Sequence, residues 1–322
     1  MTIELLLENR TTGQIWDIAP CVQEILLTSS RRGKAGTLEF LLVANHISYV
    51  EGDKVRLSVD GQVLFLGWVF TKYRDHNAII TTICYDQIRY LNAKSSYLFY
   101  NRTASDMIAE IGKDMQLKLG ELQSTGYVFP SLVSWNQSCL TMLEGALQET
   151  EQHTGEGYVL TDSPQGLCLH RAKDWMFPQS LGTGSILDYT YTTDIDQQTF
   201  NQIVVARKDK DGSMVEVMKE NGDTQTKWGT LRLYQTVTQE VNDAQMTQQA
   251  DALLAQYNRR LRQVRLTALG MVGLQAWQTI WIDIPNLGDM NLHQYVTLEQ
   301  VVHQFSGGVH LMKLDFYVTG KE

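Results

Sequence analysis

Cysteine is scarce in this chain, and what there is forms no pattern. Cys21, Cys84, Cys139 and Cys168 make no CxxC pair and no Cys–His cluster, which excludes the ligand spacing of a zinc site and that of a dithiol redox centre. Each lies in an apolar run, the usual place of a buried free thiol. No stretch approaches the ~20 consecutive apolar residues that a membrane-spanning helix needs. The start, MTIELLLENRTTG, has neither the basic region nor the small-residue cleavage site of a secretory leader. With reduced thiols, that predicts synthesis and folding in a cytoplasm. Positive charge is not in excess either. The 322 residues carry a formal charge of −9, which argues against a nucleic-acid or anionic-membrane surface as the main function, because phosphate contact needs clustered Lys and Arg. Catalytic spacings are also missing: there is no GxSxG, no HExxH, no P-loop and no GxGxxG after a strand. No catalytic residue, metal or cofactor is therefore expected. His153, near Glu149, Glu151 and Glu156, is read as solvated surface, and His76, His303 and His310 as surface or capping residues near turns.

What is present is a repeated alternation. Val55, Leu57 and Val59 alternate with polar residues, and 225 residues later Ile280, Ile282 and Ile284 do the same, the mark of strands with one buried face. Each run turns, the first on Asp60-Gly61, a two-residue hairpin signal, and the second through PNLGDMN, where Pro285 is expected to end the strand. A long second strand follows in both, with Val69 matched to Val296, and then a third, IITTICYD or VHLMKLDFYV. Such self-similarity predicts a duplicated β-domain.

The first 98 residues hold six candidate strands: IELLL, VQEILLT, GTLEFLLV, KVRLSV, VLFLGWVFTKY and IITTICYD. Between the second and third lies SSRRGKAG, which places Arg31, Arg32 and Lys34 together in an otherwise acidic chain. This loop is either a solvated hairpin tip or an electrostatic contact with an acidic neighbour. From residue 99 the period changes. Thr103 with Asp106 forms a capping-box pattern before Met107, Ile108, Ile111 and Met115. A second helix is expected from about Asn136, with Leu140, Leu143 and Leu147 on one face, and a hairpin turning on Ser163–Gly166. Residues 99–178 thus form a small α+β insert. Strands then resume, interrupted by a helix near 243–260 capped by Asn242 or Asp243. Arg259, Arg260 and Arg262 are read as complementing the dipole at its C-terminal end.

The order and spacing of KAGTLEFLLV (Lys34–Val43), EGDKVRLSVDGQVLFLGWVFT (Glu51–Thr71), NRTASDMIAEIGKDMQL (Asn101–Leu117) and VTLEQVVHQFSGGVHLMKLDFYV (Val296–Val318) resemble the XkdQ-type hub proteins of contractile phage tails and phage-like particles, relatives of the late-control and baseplate-hub proteins. The resemblance implies an α+β, mainly β fold with two tail-tube-like β-barrel domains, 1–98 and 179–322, around the insert 99–178. It implies a homotrimeric, non-enzymatic adaptor joining a sixfold tail tube to a threefold spike, assembled into a phage or phage-like particle. The implied partners are the tail tube, spike, baseplate wedge and tape-measure proteins. DNA would pass without specific binding, helped by the negative charge of three copies, and no membrane is involved. In that setting Arg31, Arg32 and Lys34 are the expected interface residues. A cell-wall-binding or wall-degrading tail protein is the alternative, suggested by the helical start TASDMIAEI.

Overall fold

Alternating burial builds the first elements. The computed structural model describes residues 1–31, 34–43, 47–209, 211–237 and 241–318. Strands β1 (Ile3–Glu8), β2 (Ile15–Asp17), β3 (Val22–Ser30), β4 (Thr37–Leu42), β5 (Lys54–Val59), β6 (Gln62–Arg74) and β7 (Ile80–Tyr85) come first. Their inward residues, among them Leu5, Leu7, Leu38, Phe40, Val55 and Leu57, form one core. Each such side chain stabilises the fold by about 1.5–3 kcal/mol relative to an exposed one. The β5–β6 turn is the expected one: Asp60 and Gly61 both have positive φ, and Val59 faces Gln62 across a two-residue loop.

The insert follows as β8 (Lys94–Thr103), α1 (Ala104–Asp114), β9 (Leu119–Leu122), β10 (Val128–Ser138), α2 (Cys139–Thr154), β11 (Tyr158–Ser163) and β12 (Gly166–Arg171). Thr103 and Asp106 close the capping box of α1, and Met107, Ile108 and Ile111 pack against Leu140, Leu143 and Leu147 of α2. Helix α2 starts at Cys139, capped by Ser138, and not near Asn136. Asn136 has φ of 51° and belongs to the irregular end of β10.

The chain then runs through β13 (Met176–Gly182) and β14 (Ile186–Asp194) to β15 (Gln202–Lys208), β16 (Met214–Glu220), α3 (Gly222–Trp228), β17 (Arg232–Val237) and α4 (Asp243–Tyr257), and ends with β18 (Leu261–Leu269), β19 (Thr279–Leu287), β20 (Met290–Ser306) and β21 (Val309–Tyr317). The compact division puts Met1–Thr190 and Arg265–Phe316 in one unit and Tyr191–Val264, with the final residues, in another. It does not fall at 98 or 178. In the second unit β15 lies between antiparallel β16 and parallel β17, and Ile203 and Val205 pack on Met246 and Ala250 of α4. Asn242 caps α4 in a capping box with Gln245. The helix stops at Tyr257, so Arg259, Arg260 and Arg262 lie outside its last turn and do not serve its dipole. Arg262 is instead buried within β18.

Both predicted meanders are present, and one sheet carries them. Its path runs β14-β18-β21-β20-β3-β4-β7-β6-β5-β1-β2, with β19 pairing β20 and β13 pairing β19. The class is α+β, mainly β, as expected. The 17-residue β20 makes the join: its first half pairs β19, and its second half pairs β21 on one edge and β3 on the other. Strand β19 also runs past Pro285 to Leu287. The ladder register shifts between Ile284 and Leu287, and a proline is tolerated at such a bulge. Register corrects one equivalence as well. Val55 faces Gly67 and Ile280 faces Val296, so Val296 matches Gly67. Val69, opposite Cys84, matches Leu298, opposite Phe316. A slip of two residues keeps every side chain on its face, so alternation alone could not reveal it.

Candidate assembly interface

The basic loop leaves the end of β3 beside the terminal strands. The Arg31 N–H donates to the Glu299 carbonyl at 2.7 Å, its guanidinium pairs with the Glu299 carboxylate, and the same group lies 4.1 Å from the centroid of the Trp277 ring. Ala276 N–H donates to Ser29 Oγ at 2.9 Å. Arg31 therefore has its opposite charge within its own chain, where it closes the β3–β20 seam. Lys34 is exposed and lines the rims of two cavities. Arg32 lies outside the described residues.

The first cavity, of about 260 Å³, is walled by Leu27 and Leu64, by Asp162, His170 and Trp175 of the insert side, and by Leu274, Trp277 and His303 of the terminal segment. Two carboxylates border it. Asp86 accepts hydrogen bonds from Gly36 N–H at 2.7 Å and Ile88 N–H at 3.0 Å. Asp162 accepts from the Gln87 backbone at 3.2 Å and side chain at 2.6 Å. Burial, then the charge of Asp162, pushes Asp86 well above the usual carboxylate range. Burial pushes Asp162 up to about 6, against the Gln87 hydrogen bonds. The bonds of Gln87 to Asp162 tie the end of β7 to the insert.

A second surface was not legible in the sequence. Strands β8 and β10 form a separate two-stranded ribbon. One face, with Phe99 and Phe129, enters the insert core. On the other face Leu98 sits opposite Val133 and Tyr100 opposite Ser131. Trp135 is 81% exposed, Val133 71%, Tyr100 62% and Leu98 54%. Contiguous apolar surface of this kind marks a partner contact more often than bare solvent. The signal that could have found it is the alternation in SSYLFYN and SLVSW, broken where Asn101 and Asn136 adopt positive φ.

The histidines need one correction. His303 is not at the surface: it is 2% exposed in the middle of β20, and His310 is bonded to it. His153 lies in the last turn of α2, stacked on Tyr127 at 4.3 Å. Among the described residues, no group of three or more His, Cys, Asp or Glu is placed to hold a metal. All four cysteines are free; Cys84, Cys139 and Cys168 are buried and Cys21 half-buried.

A mainly β chain whose two meanders share a sheet around an α+β insert has known counterparts. The YqbQ-like family model matches residues 25–317, and the chain belongs to that family. It is 30% identical over 274 residues to the phage-like element PBSX protein XkdQ of Bacillus subtilis (strain 168), covering 84% of this chain and 82% of that one. The XkdQ-type resemblance carried by the four quoted segments therefore stands. Among solved structures, the fold is shared with the 43 kDa tail protein of prophage MuSo2 from Shewanella oneidensis, with a TM-score of 0.71, 14% identity and 97% and 98% of the two chains covered. A tail protein from Neisseria meningitidis MC58 gives a TM-score of 0.73 at 14% identity, covering 99% and 98%.

Proposed function

We propose that this chain is a structural protein of a phage-type tail, acting as a baseplate hub that joins the tail tube to the spike. The supporting observation is the pair of like-built meanders united through β20 and β3. A chain with two similar strand units can offer six similar surfaces from three copies, which is what a threefold-to-sixfold joint requires. Family membership and the shared fold of tail proteins point the same way. The role is structural and not catalytic, with tube, spike, wedge and tape-measure proteins as neighbours and DNA passing through unread. The exposed ribbon and the Arg32–Lys34 end of the basic loop are the contact surfaces of this reading; Arg31 supports the loop from within.

A reconstruction of the assembled particle tests it. Three copies at the junction of tube and spike are expected; one or six copies overturn the adaptor. The Trp135→Ser variant should melt like the wild type yet fail to enter particles, because an 81% exposed indole contributes little to folding. Binding of the full chain to purified peptidoglycan that Trp135→Ser abolishes, with normal incorporation, would favour the cell-wall reading instead.

A further inference from the structure

His303 and His310 are linked in a single proton arrangement. His303 Nε2 lies 2.7 Å from the Leu274 carbonyl oxygen, and its Nδ1 lies 2.9 Å from His310 Nε2. A carbonyl only accepts, so His303 carries its proton on Nε2. A neutral imidazole has one N–H, which leaves His303 Nδ1 bare and makes His310 Nε2 the donor to it. Both bonds are satisfied with the two rings neutral, and an added proton can keep them only by leaving a positive charge on the pair.

Apolar groups line much of the pair. The His310 ring stacks on Phe305 at 4.2 Å. Its other side is closed by Gly270, where a Cβ would come within 2.2 Å of the ring; only glycine leaves room for the imidazole. Across the ladders His303 faces Leu27 of β3 and Met312 of β21. Each histidine is the other's nearest titratable group. Lys34, Asp86, Asp162 and His170 border the same cavity as His303 but make no bond to the pair. Burial holds His303 below the ordinary imidazole range. Burial and the neighbouring His303 hold His310 down to about 4.

The Leu274 carbonyl belongs to the connection 270–278 between β18 and β19. That segment is also pinned at Ala276 to Ser29, at Trp277 N–H to the Leu298 carbonyl, and by Arg31 over the indole. We propose that the His303–His310 pair is a proton-sensitive latch that holds the 270–278 connection on the β3–β20 seam and releases it on acidification. Protonating His303 keeps both bonds if His310 moves its proton to Nδ1, but it places a charge on a ring that is 2% exposed and faces Leu27 and Met312. Protonating His310 on Nδ1 keeps the bond but leaves the charge on a half-buried ring held between Phe305 and Gly270.

The direction follows from linkage. A histidine that titrates near 6.5 when released and lower when held stabilises the closed form at neutral pH and loses that contribution as pH falls. For a closed-state value of about 4, as for His310, opening is favoured roughly 30-fold at pH 5 relative to pH 8. Hydrogen exchange of the full chain, corrected for the intrinsic pH dependence, reads this directly. Segment 270–278 should exchange roughly 30-fold faster at pH 5, while the α1 and α2 amides keep their protection. The double variant His303→Gln, His310→Gln, which keeps an amide donor to Leu274 and has no imidazole to titrate, should keep the segment protected at both pH values. Equal loss of protection in wild type and the double variant overturns the latch. Imidazole nitrogen NMR of the wild type provides the check that needs no variant. The Nε2–H form of both rings at pH 7 supports the proposal; an Nδ1–H form of His303, or its free titration near 6.5, defeats it.

Discussion

The β5–β7 and β19–β21 meanders share a strand plan and differ at matched positions. Where the terminal meander has Val296 opposite Ile280, the first has Gly67 opposite Val55. A Cβ on Gly67 would lie 2.4 Å from the Tyr85 carbonyl oxygen and 2.6 Å from the Phe65 ring. Val296 is simply buried, at 3% exposure. The first meander is pressed close at its centre and tied to the insert through the bonds of Gln87 to Asp162. The terminal one is extended by the long β20 and tied to β3 through Arg31 and Glu299. One pattern of alternation thus serves two mechanical settings, and the small residue marks the tighter one.

Placing alanine at both matched positions tests this most strongly. Gly67→Ala should cost about 3 kcal/mol, because the clash is with backbone; Val296→Ala should cost about 2 kcal/mol, the loss of two methyl groups. Chemical denaturation of both variants measures the gap, and a larger loss at 296 would reverse the ranking.

The Asp162 tie and the histidine pair should next respond to pH in opposite senses. Asp162 has a folded value raised to about 6, so the stability it gives is present below its unfolded pKa and is lost as pH rises through 6. Asp162→Asn should remove that loss, about 1.4 kcal/mol between pH 5 and pH 8. The histidine pair loses stability in the other direction, as pH falls below 6.5. Melting curves of wild type and Asp162→Asn across this range separate the contributions; identical pH profiles would mean the carboxylate pair is not strained.

The smallest effect on stability should come from the basic loop, and it divides that loop in two. Arg31→Glu places like charges at the β3–β20 seam and should cost about 1 kcal/mol in the isolated chain. Lys34→Glu, at an exposed side chain, should change the melt by less than about 0.5 kcal/mol. In the proposed hub it should nonetheless reduce incorporation into particles. Normal particle yield from Lys34→Glu would leave the loop a solvated tip.

Much of the local structure could be read from residue order. The Thr103–Asp106 and Asn242–Gln245 caps, the Asp60-Gly61 and Ser163–Gly166 turns and six of the first seven strands depend on neighbours a few residues apart, so local chemistry is enough to specify them. The β8–β10 ribbon was hidden because Asn101 and Asn136 break its alternation. Strand β20 hid its length because pairing with three partners is not written in any one of them.

The sequence by itself determined which faces are apolar, where helices start and where chains turn, since these follow from periods of 2 and 3.6 and from side chains that bond their own backbone. Only the tertiary structure decided that Arg31 finds Glu299, that Val296 matches Gly67, and that His303 is buried against His310. It also decided that the two meanders share a sheet. Each of these depends on long-range register, and a strand of period two looks the same after a two-residue slip. The partner across the ladder, often more than 200 residues away as Glu299 is from Arg31, chooses among registers that the strand's own residues leave equivalent.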